Sequence, residues 1–393
     1  MFVWSRDRSE FFRLSGLDAA LFNVVAEVGP ISAGELHAGP FQAANFECCD
    51  ADVQTGLRRL ASEGLLCTEE SADAPLRGED LVAARAKKAL ARYASERPVG
   101  DVSKPVWVHL QPFTFCNLSC IHCYCFSSPA ASKFKLSIAE WRSIIAKLDS
   151  YGVAEVFITG GETLILDETW QLLEEIRARS MGTGLSTNGM HITAQTLERL
   201  RAYEITKIQV SVDGGQSSTH DYLRNKRGAF EKTIANLKVI AGVSEPVINT
   251  TVNKLNLSEL DAIIRIGRDA GALKFKFFPQ KPTGRAADLA EITLSDAEIQ
   301  DVLIPRCAEL AAYHGVTVET VSPDVRCGSA RSGFSIDEVG DAYPCIFGIG
   351  DASQVAGNAL CNDIDTIWFD SEVMRRFRAL DTHPCRRCER IRG

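Results

Sequence analysis

The sequence predicts an α/β fold built around a partial, TIM-like (β/α)6 barrel. An amino-terminal winged-helix-like domain precedes it and a carboxyl-terminal cysteine-rich domain follows. Three observations carry this reading. Between residues 106 and 290, apolar strand-like runs alternate with amphipathic helices, the pattern of parallel strands joined by crossover helices. Ahead of them, an Ala-, Lys- and Arg-rich stretch leads to the breakers Pro98 and Pro105. Behind them, the alternation stops and cysteine, glycine and aspartate become dense.

Residues 1–77 form the first domain. Phe2-Val3-Trp4 and the run from Phe11 to Ser15 are able to pair as strands. The stretch from Leu17 to Val28 is apolar at helical spacing, and that from Asp50 to Gly64 reads as a helix stopped by glycine. Residues 78–105 are a linking helix and linker of strong helix propensity. The barrel strands are expected at 106–110, 154–160, 182–187, 207–213, 246–252 and 274–279. Ser137 and Glu140 make a capping-box start for the first crossover helix, with Leu136, Ile144, Ile145 and Leu148 marking its buried face. In barrels of this kind functional residues sit at the carboxyl ends of the strands. Residues 291–393 form the last region, opening with a helix around Ser295 to Tyr313.

Composition limits the function. The chain has 393 residues, 45% of them hydrophobic and 24% charged, enough to bury a large core. A net charge of −8 and a pI near 5.5 argue against a dedicated nucleic-acid or anionic-membrane binder, which needs clustered positive charge. No apolar run is long enough to span a bilayer, and the amino terminus lacks a signal-peptide core, so a cytoplasmic location is expected. In a reducing compartment thirteen cysteines point to thiolate ligands rather than disulfides.

Cys116, Cys120 and Cys123 follow the first barrel strand, spaced so that one loop can wrap three thiolates around one cluster. Three ligands leave one iron open to chelate a substrate's amino and carboxylate groups, whereas a four-thiolate site is closed. A structural zinc site would need Cys125 or His122 as its fourth ligand, each poorly placed for a tetrahedron. The CxxxCxxC triad resembles that of the radical S-adenosylmethionine (SAM) superfamily. The likeness continues through Gly160-Gly161-Glu162, similar to the motif that holds the methionine amino group, although the usual following proline is Thr163 here. It extends to Ser186 and Asn188 at the third strand end, Ser211 and Asp213 at the fourth, and His220-Asp221 with Arg224, whose counterpart pairs with the methionine carboxylate. His122 stands where the family usually has an aromatic residue or histidine whose backbone contacts adenine. The resemblance implies a 4Fe-4S cluster that reductively cleaves SAM, starting hydrogen abstraction from a substrate, and a low-potential electron donor such as flavodoxin or ferredoxin.

Cys327, Gly340, Cys345, Gly357-Asn358 and the pair Cys385 and Cys388 resemble the cysteine-rich extension called SPASM, or its shorter form Twitch. Cys327, Cys345, Cys385 and Cys388 suffice for one auxiliary iron-sulfur cluster, with zinc in the same thiolates as the lesser alternative; Cys361 could substitute as a ligand. The amino-terminal pattern resembles the small domain by which maturases of ribosomally made peptides recognise a precursor, its leader adding a strand to the sheet. A winged-helix module for DNA or dimerisation is the other reading of that pattern. The whole then implies a precursor-peptide maturase forming a thioether or carbon-carbon crosslink. Epimerisation, with Cys125 or Cys361 as hydrogen donor, is the other outcome. Alternatives are action on a protein, as by a sulfatase maturase, or on a small molecule, and, in another class, a zinc-stabilised peptide-binding protein.

Overall fold

The computed structural model describes residues 2–5, 10–13, 104–179, 181–203, 205, 207–321 and 328–379. The chain divides into two compact units, Met1–Lys104 and Pro105–Gly393. In the first, β1 (Phe2–Ser5) and β2 (Glu10–Arg13) pair antiparallel, Phe2 opposite Arg13 and Ser5 opposite Glu10. The helices expected between Leu17 and Gly64, and the linking helix, lie outside the described residues.

The second unit is built on one sheet. Its strands β3 (Trp107–Leu110), β4 (Glu155–Ile158), β5 (Gly182–Thr187), β6 (Lys207–Ser211), β7 (Pro246–Val252) and β8 (Lys274–Pro279) lie side by side in chain order, all parallel. The connections are helical: α1 (Ile138–Tyr151), α2 (Asp167–Ala178), α3 (Ala194–Ala202), α4 (Ser217–Arg224), α5 (Ala229–Ala241) and α6 (Leu260–Asp269). α1 starts on the expected capping box of Ser137 and Glu140 and stops at Gly152, whose φ of 95° a side chain would strain. Its buried face is Trp141, Ile144, Ile145 and Leu148; Leu136 lies before the helix and is half-buried.

The sheet is wider than the six strands the sequence predicts, because short pieces extend it on both sides to ten. After Ser295 caps a helical run that ends in α7 (Ile304–His314), β9 (Thr317–Glu319) adds parallel to β8. On the other side β10 (Gly333–Ile336) pairs parallel with β3, followed antiparallel by β11 (Asp341–Tyr343) and β12 (Gly357–Asn358). A Cβ on Gly333 would stand 2.2 Å from the Trp107 ring, so glycine is what lets that indole lie against β10. The barrel and the carboxyl-terminal region therefore share one sheet.

The pleat sorts residues by face. On β3, Val108 and Leu110 are fully buried, while Trp107 and His109 turn to a cavity of about 450 Å³. Phe157, Gln209, Asn249 and Lys276 line the same cavity from neighbouring strands. No helix among the described residues is long and apolar enough to cross a membrane.

Candidate active site

The loop after β3 carries the three cysteines, and backbone contacts from several elements seat it. Cys116 N donates to Ser128 O at 3.1 Å, and Ile121 N to Leu223 O on α4 at 3.0 Å. From the end of β4, Gly161 N and Glu162 N donate to Phe113 O and Phe115 O at 3.1 and 3.0 Å. A Cβ on Gly161 would lie 1.7 Å from Phe115 O, and one on Gly160, where φ is +126°, 2.3 Å from Phe113 O. These glycines thus let the cysteine loop lie directly on the strand end. Thr163 uses its hydroxyl, donating to Ser186 O at 2.6 Å.

Glu162 is 1% exposed and accepts from Thr187 Oγ1 at 2.6 Å, Asn188 N at 2.7 Å and Leu164 N at 3.2 Å. Burial raises its carboxyl pKa despite these donors. Asn188 joins this group to the cysteine loop, its Nδ2 reaching Asn117 Oδ1 at 2.8 Å and Cys116 Sγ at 3.8 Å.

Asp213 is the electrostatic hub. Its Oδ2 meets Arg224 Nη2 at 2.7 Å and His122 Nε2 at 2.9 Å, and Oδ1 accepts from Thr251 N at 2.9 Å. Burial opposes its ionisation, but Arg224 and His122 outweigh burial and hold the carboxyl below the usual carboxylate range. His220 Nδ1 accepts from Asp213 N at 3.1 Å; burial, then Arg224, lowers its pKa to about 4 and keeps the ring neutral. Asp221 caps α5 by accepting from Gly228 N and Phe230 N.

The thiols differ in environment. Burial, then the Glu162 carboxylate, pushes Cys116 up to about 12, and burial raises Cys120. Arg224 Nη1 lies 3.7 Å from Cys120 Sγ. Cys123 is lowered: Cys125 Sγ, 3.8 Å away, hydrogen-bonds to it, and Arg285 adds positive charge. Cys125 also lies 3.0 Å from Ser127 Oγ and 3.7 Å from Gly160 O.

The three thiols line the cavity together with His122, Gly160, Gly161, Glu162, Ser186, Asn188, Ser211 and Arg224; Asp213 stands behind His122 and Arg224. Two buried nitrogens there, Arg224 Nε and His122 Nδ1, have no hydrogen-bond partner. Three thiols beside unpartnered nitrogens on an arginine and a histidine fit a thiolate-bound cluster with a polar, carboxylate-bearing molecule next to it. Cys345 reaches the same cavity from the carboxyl-terminal region. Cys327, Cys385 and Cys388 lie outside the described residues, and Cys361 is exposed, away from the cavity.

Several site residues escape a motif-based reading. His109 lies between Trp107 and Phe157, ring centroids 4.8 and 5.3 Å away, and burial, then Lys276 and Lys207, lowers its pKa to about 3. Tyr124 donates to Gln111 Oε1 at 2.9 Å and packs edge-on against Phe347 of the carboxyl-terminal region. The available signal was polar residues recurring at every second position of strands otherwise buried, as at Lys207, Gln209 and Ser211.

A thiol-rich loop at the mouth of a parallel barrel, with room beside it for a polar cofactor, defines the site of an iron-sulfur enzyme. Comparison with known proteins agrees. Residues 110–266 match the Radical SAM superfamily, and residues 327–389 match SPASM, an iron-sulfur cluster-binding domain. Over 277 residues the chain is 30% identical to mycofactocin maturase MftC of Mycolicibacterium smegmatis, covering 67% of this chain and 70% of that one. It is 28% identical to the AdoMet-dependent heme synthase of Methanosarcina barkeri, covering 67% and 82%. Among solved structures, Streptococcus suis SuiB bound to its precursor peptide SuiA aligns with a TM-score of 0.68 at 15% identity, covering 96% of this chain and 87% of that one. The chain belongs to the radical SAM superfamily and carries a SPASM domain, and with them a 4Fe-4S cluster, SAM and auxiliary iron-sulfur binding.

Proposed function

We propose that the enzyme matures a ribosomally made precursor peptide, with Cys116, Cys120 and Cys123 holding the SAM-binding 4Fe-4S cluster. The observation that carries this reading is the single cavity onto which those thiols, Glu162, Arg224 and Cys345 all open. When bound, these groups supply one-electron chemistry: reductive opening of the SAM sulfonium and, at the auxiliary site, an acceptor for the electron given up as a crosslink forms. The chain's own residues bind and orient. Glu162, fixed by its three donors, would hold the methionine amino group through its carboxylate, and Arg224, anchored on Asp213, would hold the methionine carboxylate through its N–H groups. Ser186, Asn188, Ser211 and His122 line the cavity beside them and would border the remainder of the cofactor, His122 through its backbone.

A peptide substrate is supported by the maturase MftC among the relatives and by the fold shared with SuiB. The amino-terminal unit opens with a β-hairpin, an element able to take a leader peptide as an added strand. The product is a thioether or a carbon-carbon crosslink, with Cys327, Cys345, Cys385 and Cys388 around the auxiliary cluster. A flavodoxin or ferredoxin donates electrons in the cytoplasm. The heme synthase among the relatives favours a second reading, a small-molecule substrate. Turnover of a leader-bearing peptide by the full-length enzyme separates the two, and deleting residues 1–77 tests leader docking. On the peptide reading, turnover of a leader-bearing peptide is lost while uncoupled 5′-deoxyadenosine formation persists; unchanged peptide turnover would contradict leader docking.

A further inference from the structure

Beyond β8 the chain makes a tight turn at Gly284 and Arg285 that no cluster motif includes, and that turn reaches back to the loop after β3. Arg285 Nε donates to Cys120 O and Nη2 to Ser127 O, each at 2.7 Å, while its backbone N donates to Cys123 O at 2.9 Å. One planar guanidinium thus spans the segment from Cys120 to Ser127, with Cys123 between its two anchors. Gly284, at φ +60°, makes the approach possible: a Cβ there would stand 2.3 Å from Cys123 O and 2.4 Å from Tyr124 C. The two cysteine-loop carbonyls have a fixed separation, which suits a rigid fork of donors better than the single point of an ammonium.

We propose that Arg285 is a positioning residue for the SAM-binding cluster, clamping the loop so that the Cys120 and Cys123 thiolates keep the spacing a cubane requires. The clamp comes from the last barrel strand and the cysteines from the first, so the turn ties the two sides of the open barrel across the cluster. Its second effect is electrostatic. A fixed positive charge beside the thiolate ligands favours the reduced, more negative cluster and raises its reduction potential.

The test uses the reconstituted full-length enzyme with Arg285→Gln, Arg285→Lys and Gly284→Ala. It follows iron retention against a chelator, together with the electron paramagnetic resonance signal that changes on adding SAM. Neither replacement side chain reproduces the fork, so both Arg285 variants should lose cluster affinity about tenfold or more, within the range for residues that orient metal ligands. Gly284→Ala should do the same. Only Arg285→Gln should lower the reduction potential of the SAM-responsive signal, because lysine keeps the charge. A purely structural arginine would lower protein stability without this split between the two variants. Wild-type chelator resistance in either Arg285 variant would overturn the clamp, and equal potentials in the two would overturn the electrostatic part. If Arg285→Gln fails to fold, chelator resistance in Arg285→Lys and Gly284→Ala decides the clamp, and the uncharged Arg285→Met takes its place for the charge effect: a potential below that of Arg285→Lys supports it and an equal one overturns it.

Discussion

At Asp213 one buried carboxylate gathers Arg224, His122 and the backbone N–H of Thr251, so its loss would strand a buried arginine. Asp213→Asn should destabilise the apo-protein by about 3–5 kcal/mol at neutral pH, the cost of removing one partner from a buried pair. The pH dependence has a definite sign. The folded pKa lies below that of an unfolded aspartate, about 3.9, so the stabilisation is complete above that pH. It is lost as pH falls toward the folded value. Thermal unfolding followed from pH 7 to about pH 2 should therefore show a steady gap between wild type and Asp213→Asn down to about pH 4 and a narrowing gap below it; a gap that does not narrow below about pH 4 would contradict the pairing. The sequence marked both Asp213 and Arg224 through their motifs. Their contact was not legible, because it depends on how α4 returns its last turn beneath the cysteine loop.

The strand-end loops show a similar division. Gly160 and Gly161 stood out in the sequence as neighbours of a cofactor; they line the cavity, and their lack of a Cβ also lets Phe113 and Phe115 of the cysteine loop close on them. Gly161→Ala should cost about 1–3 kcal/mol through overpacking and weaken iron retention, as the added methyl displaces the loop. Retention equal to wild type in a chelator titration would contradict that seat. The six barrel strands were legible because short strand-like runs alternate regularly with amphipathic helices. β9 to β12 were not, since pieces of two to four residues show no period of their own and are defined by their pairing. The polar inner face, with His109, Gln209 and Lys276, was written in the alternation of those strands but carried no motif.

Across the whole molecule, the carboxyl-terminal strands join the barrel sheet at β3, the strand that leads into the cysteine loop. Cys345 and Phe347 thereby face the cavity that Cys116, Cys120 and Cys123 face, the placement that the proposed auxiliary cluster would use to take an electron from a substrate bound there. The order of cysteines along the chain indicated such a region; only the shared sheet brings Cys345 to that cavity. The most direct measurement replaces Cys116, Cys120 and Cys123 together with alanine. It then assays the anaerobically reconstituted protein, under strong reductant, for both bound iron and 5′-deoxyadenosine formed from SAM. Iron should remain at the carboxyl-terminal cysteines while 5′-deoxyadenosine formation disappears. Continued formation would mean that SAM is cleaved elsewhere and that the triad is not the centre of the chemistry.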